Sequence, residues 1–217
     1  MAYLPFGWRK FRGLALMLKK LHYLKAFGYE FLQDTNKNFK NLTYNDLKEQ
    51  ISACQLCYLY KKRKNTPFPK DVKKVDLFII NSFISKEENE SGRVLSSKNG
   101  LKLQDFLQKY LNLTVDDYYI SYLYKCFCEG KNDELALKNC LPYMHSEIFL
   151  LKPKIILCLG ENTFNSLGFS NFKALRGNAF IFLNTWFLTS FDMDFISKNP
   201  SLEQEFIDDL TKIKAFL

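Results

Sequence analysis

Short apolar segments alternate with amphipathic helical segments along most of this chain, and that alternation restricts its fold class more than any other feature. Residues 75–81, 118–124 and 154–160 are runs rich in β-branched and aromatic side chains, which is typical of buried strands. Residues 101–111 and 134–151 carry apolar side chains at helical spacing. Strands that alternate with helices form mainly parallel sheets covered on both faces, so the sequence predicts an α/β fold.

The remaining segments complete this interpretation. We predict helices over residues 8–27, from Thr43 to about residue 53, over 162–167 and over 201–216, and strands over 180–183 and 186–189. Thr43 is a suitable N-cap, because its hydroxyl can accept a backbone N–H of the first turn. Residues 82–99 are expected to form a polar loop.

Positive charge is concentrated in two stretches of the 217-residue chain, whose formal net charge is +8. Residues 1–41 contain eight basic and two acidic residues, and residues 61–74 contain seven basic residues and one acidic residue. The rest of the chain is therefore net negative, and the molecule is polarised. We predict a basic, amphipathic helical extension over residues 1–41 and a folded domain over residues 42–217, with a polyanion as partner.

Composition excludes several classes of protein. With 47% hydrophobic and 25% charged residues, the chain can bury a sizeable core and is not disordered over most of its length. It has no run of about 18 uncharged apolar residues, so no transmembrane helix is expected. The apolar run at residues 14–18 is too short for a signal peptide, which predicts a cytoplasmic protein.

Six cysteines suggest a metal site, because a Cys-x-x-Cys pair in an intracellular chain more often binds metal than forms disulfides. Cys54 and Cys57 form that pair, Cys126 follows a predicted strand and Cys140 lies in a predicted helix. Four thiolates suit a tetrahedral zinc ion or a four-iron cluster, and the residues alone leave both open. Two cysteines stand apart from this set: Cys128 is a rival of Cys126, and Cys158 lies within an apolar strand.

The order of several motifs resembles the iron–sulfur uracil-DNA glycosylases known as family four. The similarity covers about residues 45–202. It rests on shared order and spacing, since no single motif is specific. In sequence order, the matching residues are Cys54, Cys57, Leu59, Arg63, Asn65-Thr66, Gly92-Arg93, Gly100, Tyr119-Ile120, Lys125-Cys126, Cys140, the run from Lys152 to Gly160, Leu175-Arg176-Gly177 and Asn199-Pro200.

This resemblance implies a fold, a cofactor and a partner. The fold would be a three-layer α/β/α sandwich whose loops at the C-terminal ends of the strands grip DNA. The cofactor would be a structural four-iron-four-sulfur cluster held by Cys54, Cys57, Cys126 and Cys140. The family flips a nucleotide out of the stack into a pocket, reads the uracil edge and stabilises a uracil anion as it leaves.

Three positions that carry this chemistry in the family are altered here. Ser82 stands where the family has a carboxylate, Tyr122 where it has the base-reading Asn, and Asp192 where it has the His of its last motif. The uracil-stacking aromatic aligns with Leu95, and Phe83 completes the expected pocket. An ionised Asp would repel a uracil anion, so uracil excision is expected to be absent or weak. A relocated acid among Glu87, Glu88 and Glu90 remains an alternative to their being solvated loop residues.

Basic side chains on the expected DNA-facing loops predict contact with phosphates and salt-dependent binding. These are Lys61, Lys62, Arg63, Lys64, Arg93, Lys98, Arg176 and Lys198. The leading hypothesis is a DNA-binding, non-excising iron–sulfur protein, with single-stranded DNA as one form of its partner. An active glycosylase with an altered pocket and a zinc-stabilised interaction module are the alternatives. The predicted helix over 8–27 either packs on its own domain, docks a protein partner, or lies on a membrane surface or on DNA.

Overall fold

Five strands form a single sheet in this computed structural model, which describes residues 43–69, 75–182 and 184–217. Their order across the sheet is β2-β1-β3-β5-β4, and β1, β2, β3 and β5 are mutually parallel while β4 is antiparallel to β5. The α/β prediction with a mainly parallel sheet is therefore confirmed. The strands are β1 (Leu77–Asn81), β2 (Tyr118–Tyr122), β3 (Ile155–Leu159), β4 (Phe180–Phe182) and β5 (Thr185–Ser190).

Helices cover both faces of the sheet. They are α1 (Tyr44–Ala53), α2 (Lys86–Ser91), α3 (Lys98–Leu111), α4 (Glu134–Leu151), α5 (Glu161–Ser166), α6 (Phe172–Leu175), α7 (Met193–Lys198) and α8 (Glu203–Lys212), with 3-10 turns at Tyr58–Lys62, Pro200–Leu202 and Ile213–Phe216. The predicted helices over 101–111 and 134–151 correspond to α3 and α4. The predicted polar loop over 82–99 is wrong in part, because α2 lies within it.

The two cores follow from the alternation of side chains along each strand. On one face, Leu77 and Ile79 of β1 pack with Leu103 and Leu107 of α3 and with Phe206 of α8. The other face is built in the same way, from neighbouring residues of the same strands together with α4, α5 and α6; its members include Phe78, Ile80, Tyr119, Cys158, Ala136, Met144, Phe164 and Phe172. The arrangement is the three-layer α/β/α sandwich that the resemblance implied.

Helix α1 begins as the sequence predicts. The Thr43 side chain accepts the N–H of Asp46, and the Asp46 side chain accepts the N–H of Thr43, which forms a capping box. The predicted extension over residues 1–41 lies outside the described residues, so the division into an extension and a domain stays a prediction. Within the described part of the chain, no helix is both long enough and apolar enough to cross a lipid bilayer.

The four parallel strands bring their C-terminal ends to one edge of the sheet. Asn81 pairs with Tyr122 in the register of β1 and β2, and Leu159 pairs with Ser190 in that of β3 and β5. The loops that follow these strands therefore emerge side by side. This edge is where ligands bind in open α/β sheets, and it gathers all the positions that the sequence marked as altered.

Candidate functional site

Ser82, the first of the altered positions, is buried and fully engaged in hydrogen bonds. Its Oγ lies 2.7 Å from Thr163 Oγ1 and accepts the Asn162 side-chain amide at 2.9 Å. Both partners belong to α5, so Ser82 ties the loop after β1 to the helix after β3. The next residue, Phe83, is half-buried and stacks on Tyr124 with 5.3 Å between ring centroids. Neither side chain provides a charged group at the sheet edge.

Tyr122 and Glu88 form a buried hydrogen-bonded pair behind this loop. The Tyr122 hydroxyl donates to Glu88 Oε1 at 2.5 Å, and the Leu95 N–H donates to the same oxygen at 2.7 Å. The other oxygen, Oε2, accepts the N–H of Ser85, so three donors satisfy the carboxylate. Burial, followed by the nearby Glu88 charge, raises the pKa of Tyr122, which keeps the phenol protonated as a donor.

This pair corrects one expectation about the loop between β1 and α3. Glu88 is not a solvated loop residue, because only 3% of its surface is exposed and it completes the capping box of α2 with Ser85. Leu95 is likewise buried, with a left-handed φ of 53°. A side chain at Gly100 would approach the Leu95 backbone to 2.6 Å, so α3 packs directly on this turn.

We expect the Tyr122 hydroxyl to contribute measurably to stability. Tyr122→Phe removes a buried hydrogen bond to a charged group and should lower the free energy of unfolding by about 1.5–3 kcal/mol. Urea unfolding followed by circular dichroism measures this loss. Tyr118→Phe is the matched control on the same strand, because the Tyr118 hydroxyl is buried and has no hydrogen-bond partner in the described part of the chain. An equal loss in both variants would contradict the assignment.

Asp192 begins helix α7 as its N-cap. Its Oδ1 accepts the Phe195 N–H at 2.7 Å. Its Oδ2 lies against Gly160, where any added Cβ would overlap it, so this carboxyl group sits at the end of β3. Burial raises the pKa of Asp192 and the neighbouring Asp194 carboxylate raises it further, while the Phe195 N–H lowers it. The group offers no N–H donor in place of an imidazole.

The loop after β5 is held by a network centred on Asp209. The Arg176 guanidinium and the Ser190 hydroxyl both donate to Asp209 Oδ2, at 2.6 Å and 2.7 Å. Arg176 also lies over the ring of Phe191, 4.4 Å from its centroid. Phe191 in turn stacks on Phe195 at 5.0 Å, and Phe195 is 41% exposed. An aromatic ring is therefore presented beside Asp192 from a loop that is fixed from behind.

The four predicted metal-ligating cysteines act on one another. Burial raises the pKa of the Cys126 thiol, and Cys57 and Cys54 raise it further. Burial likewise raises the pKa of Cys140 to about 12, with further contributions from Cys126 and Cys57. Cys54, Cys57, Cys126 and Cys140 thus lie close enough for their charges to interact.

Two hydrogen-bond donors contact these thiols. The backbone N–H of Lys125 donates to Cys140 Sγ at 3.5 Å, and Arg63 Nη1 donates to Cys126 Sγ at 3.4 Å. Among the described residues, no three His, Cys, Asp or Glu side chains lie close enough to hold one metal ion.

The two remaining cysteines are placed differently. Cys158 is fully buried within β3, as the sequence indicated. Cys128 is also buried, and burial raises the pKa of its thiol to about 11. Its other neighbours include Asp133 and the backbone of Gly130 and Lys131, as well as Cys126. Cys126 and Cys128 are therefore neighbours, and Cys126 as the ligand stays a prediction.

A buried ion pair lies beneath the cysteines. Lys125 Nζ and Glu147 Oε2 are 2.7 Å apart, and their side chains are only 5% and 2% exposed. The Ser121 hydroxyl donates to the same Glu147 oxygen at 2.5 Å, and the Tyr119 hydroxyl donates to the other at 2.9 Å. Tyr119 also contacts the Tyr44 hydroxyl at 3.0 Å, which joins α1 to this network. Every charge in it therefore has hydrogen-bond partners.

The eight basic residues expected to contact phosphates fall into two groups. Four are already engaged within the protein: Lys62 with Glu129, Lys64 with Glu90, Arg63 with Cys126 and Ile51, and Arg176 with Asp209 and Glu205. The other four are exposed and form no ion pair with a described residue: Lys61, Arg93, Lys98 and Lys198. Of the eight predicted phosphate contacts, only these four are thus exposed without an ion pair to a described residue.

Contacts between loops group the exposed cations into two sets. The Asn65 side chain donates to the backbone oxygens of Asn89 and Glu90 at the end of α2 and packs against Gly92, which joins the basic segment after the cysteines to Arg93. Ser197 donates to Asn99 at 2.8 Å, so the residues next to Lys98 and Lys198 in sequence are in contact. An open groove of about 630 Å³ lies at this second set, and it is lined by Lys98, Asn99, Leu101, Lys102, Asp105, Ser197 and Pro200.

Comparison with known proteins identifies the family. The model of the Uracil DNA glycosylase superfamily matches residues 69–211, which is well over half of the chain. The chain belongs to the uracil DNA glycosylase superfamily. The match spans all five strands together with the Ser82, Tyr122 and Asp192 positions.

Three archaeal relatives are named Type-4 uracil-DNA glycosylase. The protein of Sulfurisphaera tokodaii is 26% identical over 62% of this chain and 65% of its own length. That of Saccharolobus solfataricus is 27% identical over 54% and 55%, and that of Pyrobaculum aerophilum is 30% identical over 52% and 59%. The chain thus spans between about half and two thirds of the length of these relatives.

Sequence reasoning missed several residues that shape the site of this superfamily member. The Ser85-x-x-Glu88 spacing is a capping-box pattern, so α2 and the role of Glu88 could have been found from the sequence. The inward direction of Arg63 carries no such signal, because a basic residue after a turn is more often solvated. The single described histidine, His145, lies on α4, and burial lowers its pKa to about 4.

Proposed function

We propose that this protein is an iron–sulfur, DNA-binding member of the uracil DNA glycosylase superfamily in which uracil excision is weak or absent. The observation that carries this proposal is the condition of the three altered positions. Ser82 is bonded to α5, Tyr122 is buried against Glu88, and Asp192 caps α7. None of them presents an amide or an imidazole toward a base, and the Asp192 carboxyl group serves as the N-cap of α7.

Excision would need a hydrogen-bond donor to the leaving uracil anion and an acidic group on the loop after β1, and this arrangement presents neither. A uracil anion is stabilised by a donor placed where negative charge develops, and removal of a donor of this kind costs about 10²–10³ in rate. Asp192 brings a carboxyl group there instead. The relocated acid that the sequence left open is not supported by Glu88, because both of its oxygens already accept hydrogen bonds.

The proposed cofactor is a four-iron-four-sulfur cluster held by Cys54, Cys57, Cys126 and Cys140. When bound, the cluster would supply a rigid link between α1, the loop after β2 and α4. The mutual influence of the four thiols and the N–H donors to Cys126 and Cys140 support this ligand set. Iron with acid-labile sulfide in the purified protein would agree with it, whereas stoichiometric zinc would favour the interaction module instead.

The proposed DNA contacts lie on the exposed cations of the sheet edge. Lys98 and Lys198 flank the same short contact between α3 and α7, and Phe195 is exposed on α7. Cations neutralise phosphates and an exposed ring can stack on a base, which is how proteins bind single-stranded nucleic acid without reading its sequence. The predicted helix over residues 8–27 lies outside the described residues, so its docking to a protein partner stays a prediction.

Binding to single-stranded DNA should depend on these two lysines. We expect the double variant Lys98→Ala, Lys198→Ala to bind more weakly and its salt dependence, log K against log salt, to become shallower by about 0.7 for each phosphate that a lysine no longer neutralises. Fluorescence anisotropy at several salt concentrations measures both quantities. Lys109→Ala is the control, because Lys109 is exposed on the same helix about 16 Å from Lys98. Unchanged binding by the double variant would move the DNA site elsewhere.

A second candidate is a glycosylase for a different damaged base, which the glycosylase names of the relatives favour. Enlarged or altered specificity would require a pocket shaped by Phe83, Leu95 and Tyr122 in place of the family's residues. A panel of oligonucleotides, each carrying one damaged base, separates this candidate from the first. Release of any one base with multiple turnovers would favour it.

A further inference from the structure

Arg63 lies in a position that the sequence did not indicate. It follows directly on the 3-10 turn Tyr58–Lys62, whose last two residues are exposed lysines. Arg63 itself is half-buried, and its Nη1 donates both to the Ile51 carbonyl at 3.2 Å and to Cys126 Sγ at 3.4 Å. The guanidinium therefore joins the last turn of α1 to the cysteine loop after β2.

Arg63 also places a positive charge directly at one of these thiols, that of Cys126. Lys125 is the other basic residue nearby, but its ammonium group is buried and neutralised by Glu147 at 2.7 Å. Arg63 has no carboxylate partner among the described residues, and it donates instead to a carbonyl oxygen and a sulfur.

We propose that Arg63 sets the reduction potential of the cluster at Cys54, Cys57, Cys126 and Cys140, through its charged hydrogen bond to Cys126 Sγ. This inference rests on the cofactor proposed above. Addition of one electron makes the cluster and its four thiolates one unit more negative, and a cation at a ligating sulfur stabilises that state more than the oxidised one. Net charge and hydrogen bonds to sulfur are the means by which proteins adjust such potentials. Arg63 thus raises the potential and is not a phosphate contact.

A matched pair of variants tests the proposal. Arg63→Gln removes the charge at the sulfur, and Lys61→Gln removes the same charge from an exposed side chain two residues earlier in the chain. We expect a redox titration of the iron-loaded protein, followed by the absorbance and by electron paramagnetic resonance of the reduced state, to give a more negative potential for Arg63→Gln. Lys61→Gln should titrate as the unaltered protein does.

A measurement on the unaltered protein covers the case in which Arg63→Gln does not retain its iron. With arginine labelled by ¹⁵N in the guanidinium, pulsed electron paramagnetic resonance of the reduced protein should detect a coupling from that nitrogen. No coupling, or an unchanged potential in iron-loaded Arg63→Gln, would overturn the role of Arg63 and leave the proposed cofactor standing. An unaltered protein without iron would overturn the cofactor and this inference with it.

Discussion

Purified protein incubated with a single-stranded oligonucleotide that contains uracil is expected to release the base at less than about a thousandth of the rate of an active family member. Loss of one donor to the leaving group accounts for about 10²–10³ of this decrease, and the missing carboxylate and amide add to it. Release is measured by alkaline cleavage of the abasic product on a denaturing gel. The Type-4 enzyme of Sulfurisphaera tokodaii, under the same conditions, is the positive control.

Two further measurements make this result interpretable. Binding of the same oligonucleotide by the same preparation shows that the protein is folded and competent for DNA. Asp192→His tests whether imidazole alone restores excision, and we expect that it does not, because Tyr122 still occupies the base-reading position. Release by the unaltered protein within tenfold of the control enzyme would refute the proposed loss of activity.

Substitution of single cysteines should distinguish those that bind the cluster from those that do not. Cys126→Ser and Cys140→Ser are expected to lose the iron and the brown colour and to unfold at much lower urea concentrations, because the free energy of binding a structural metal group is also folding free energy. Cys128→Ser is the matched control, since Cys128 is equally buried and only two residues from Cys126. Iron and sulfide analysis with urea unfolding records both effects.

The reverse pattern would change the assignment. Retention of iron by Cys126→Ser with loss in Cys128→Ser would make Cys128 the ligand from the loop after β2. Equal retention by all three variants would remove the cluster from this set of cysteines altogether. Either result would replace the proposed ligand set of Cys54, Cys57, Cys126 and Cys140.

The sheet could be predicted from the sequence because its strands are buried on both faces. Such strands are continuous apolar runs, as at Ile155–Leu159, and the helices between them keep a regular spacing of apolar residues. Helix α2 escaped the same reasoning because Lys86–Ser91 is short and polar, so its only signal is the Ser85 and Glu88 capping box.

The site was harder to predict because its residues act through partners distant in sequence. The resemblance to the family implied that Ser82, Tyr122 and Asp192 stand on the loops at the C-terminal ends of the strands. It could not indicate that Tyr122 points to Glu88, 34 residues away in the chain, or that Arg63 points to Cys126, 63 residues away. The direction of such a side chain depends on how the whole domain packs. The same packing determines whether a basic side chain is exposed to solvent or contacts a sulfur atom.

The buried pair of Lys125 and Glu147 has a consequence for the order in which this protein folds. Neither charge can leave water alone without a large penalty, since an uncompensated buried ion costs several kcal/mol. We therefore expect the loop after β2 and helix α4 to dock together, since Ser121 and Tyr119 of β2 complete the partners of Glu147. These parts of the molecule should open as one cooperative unit, so hydrogen exchange should give their slowest amides a common opening free energy.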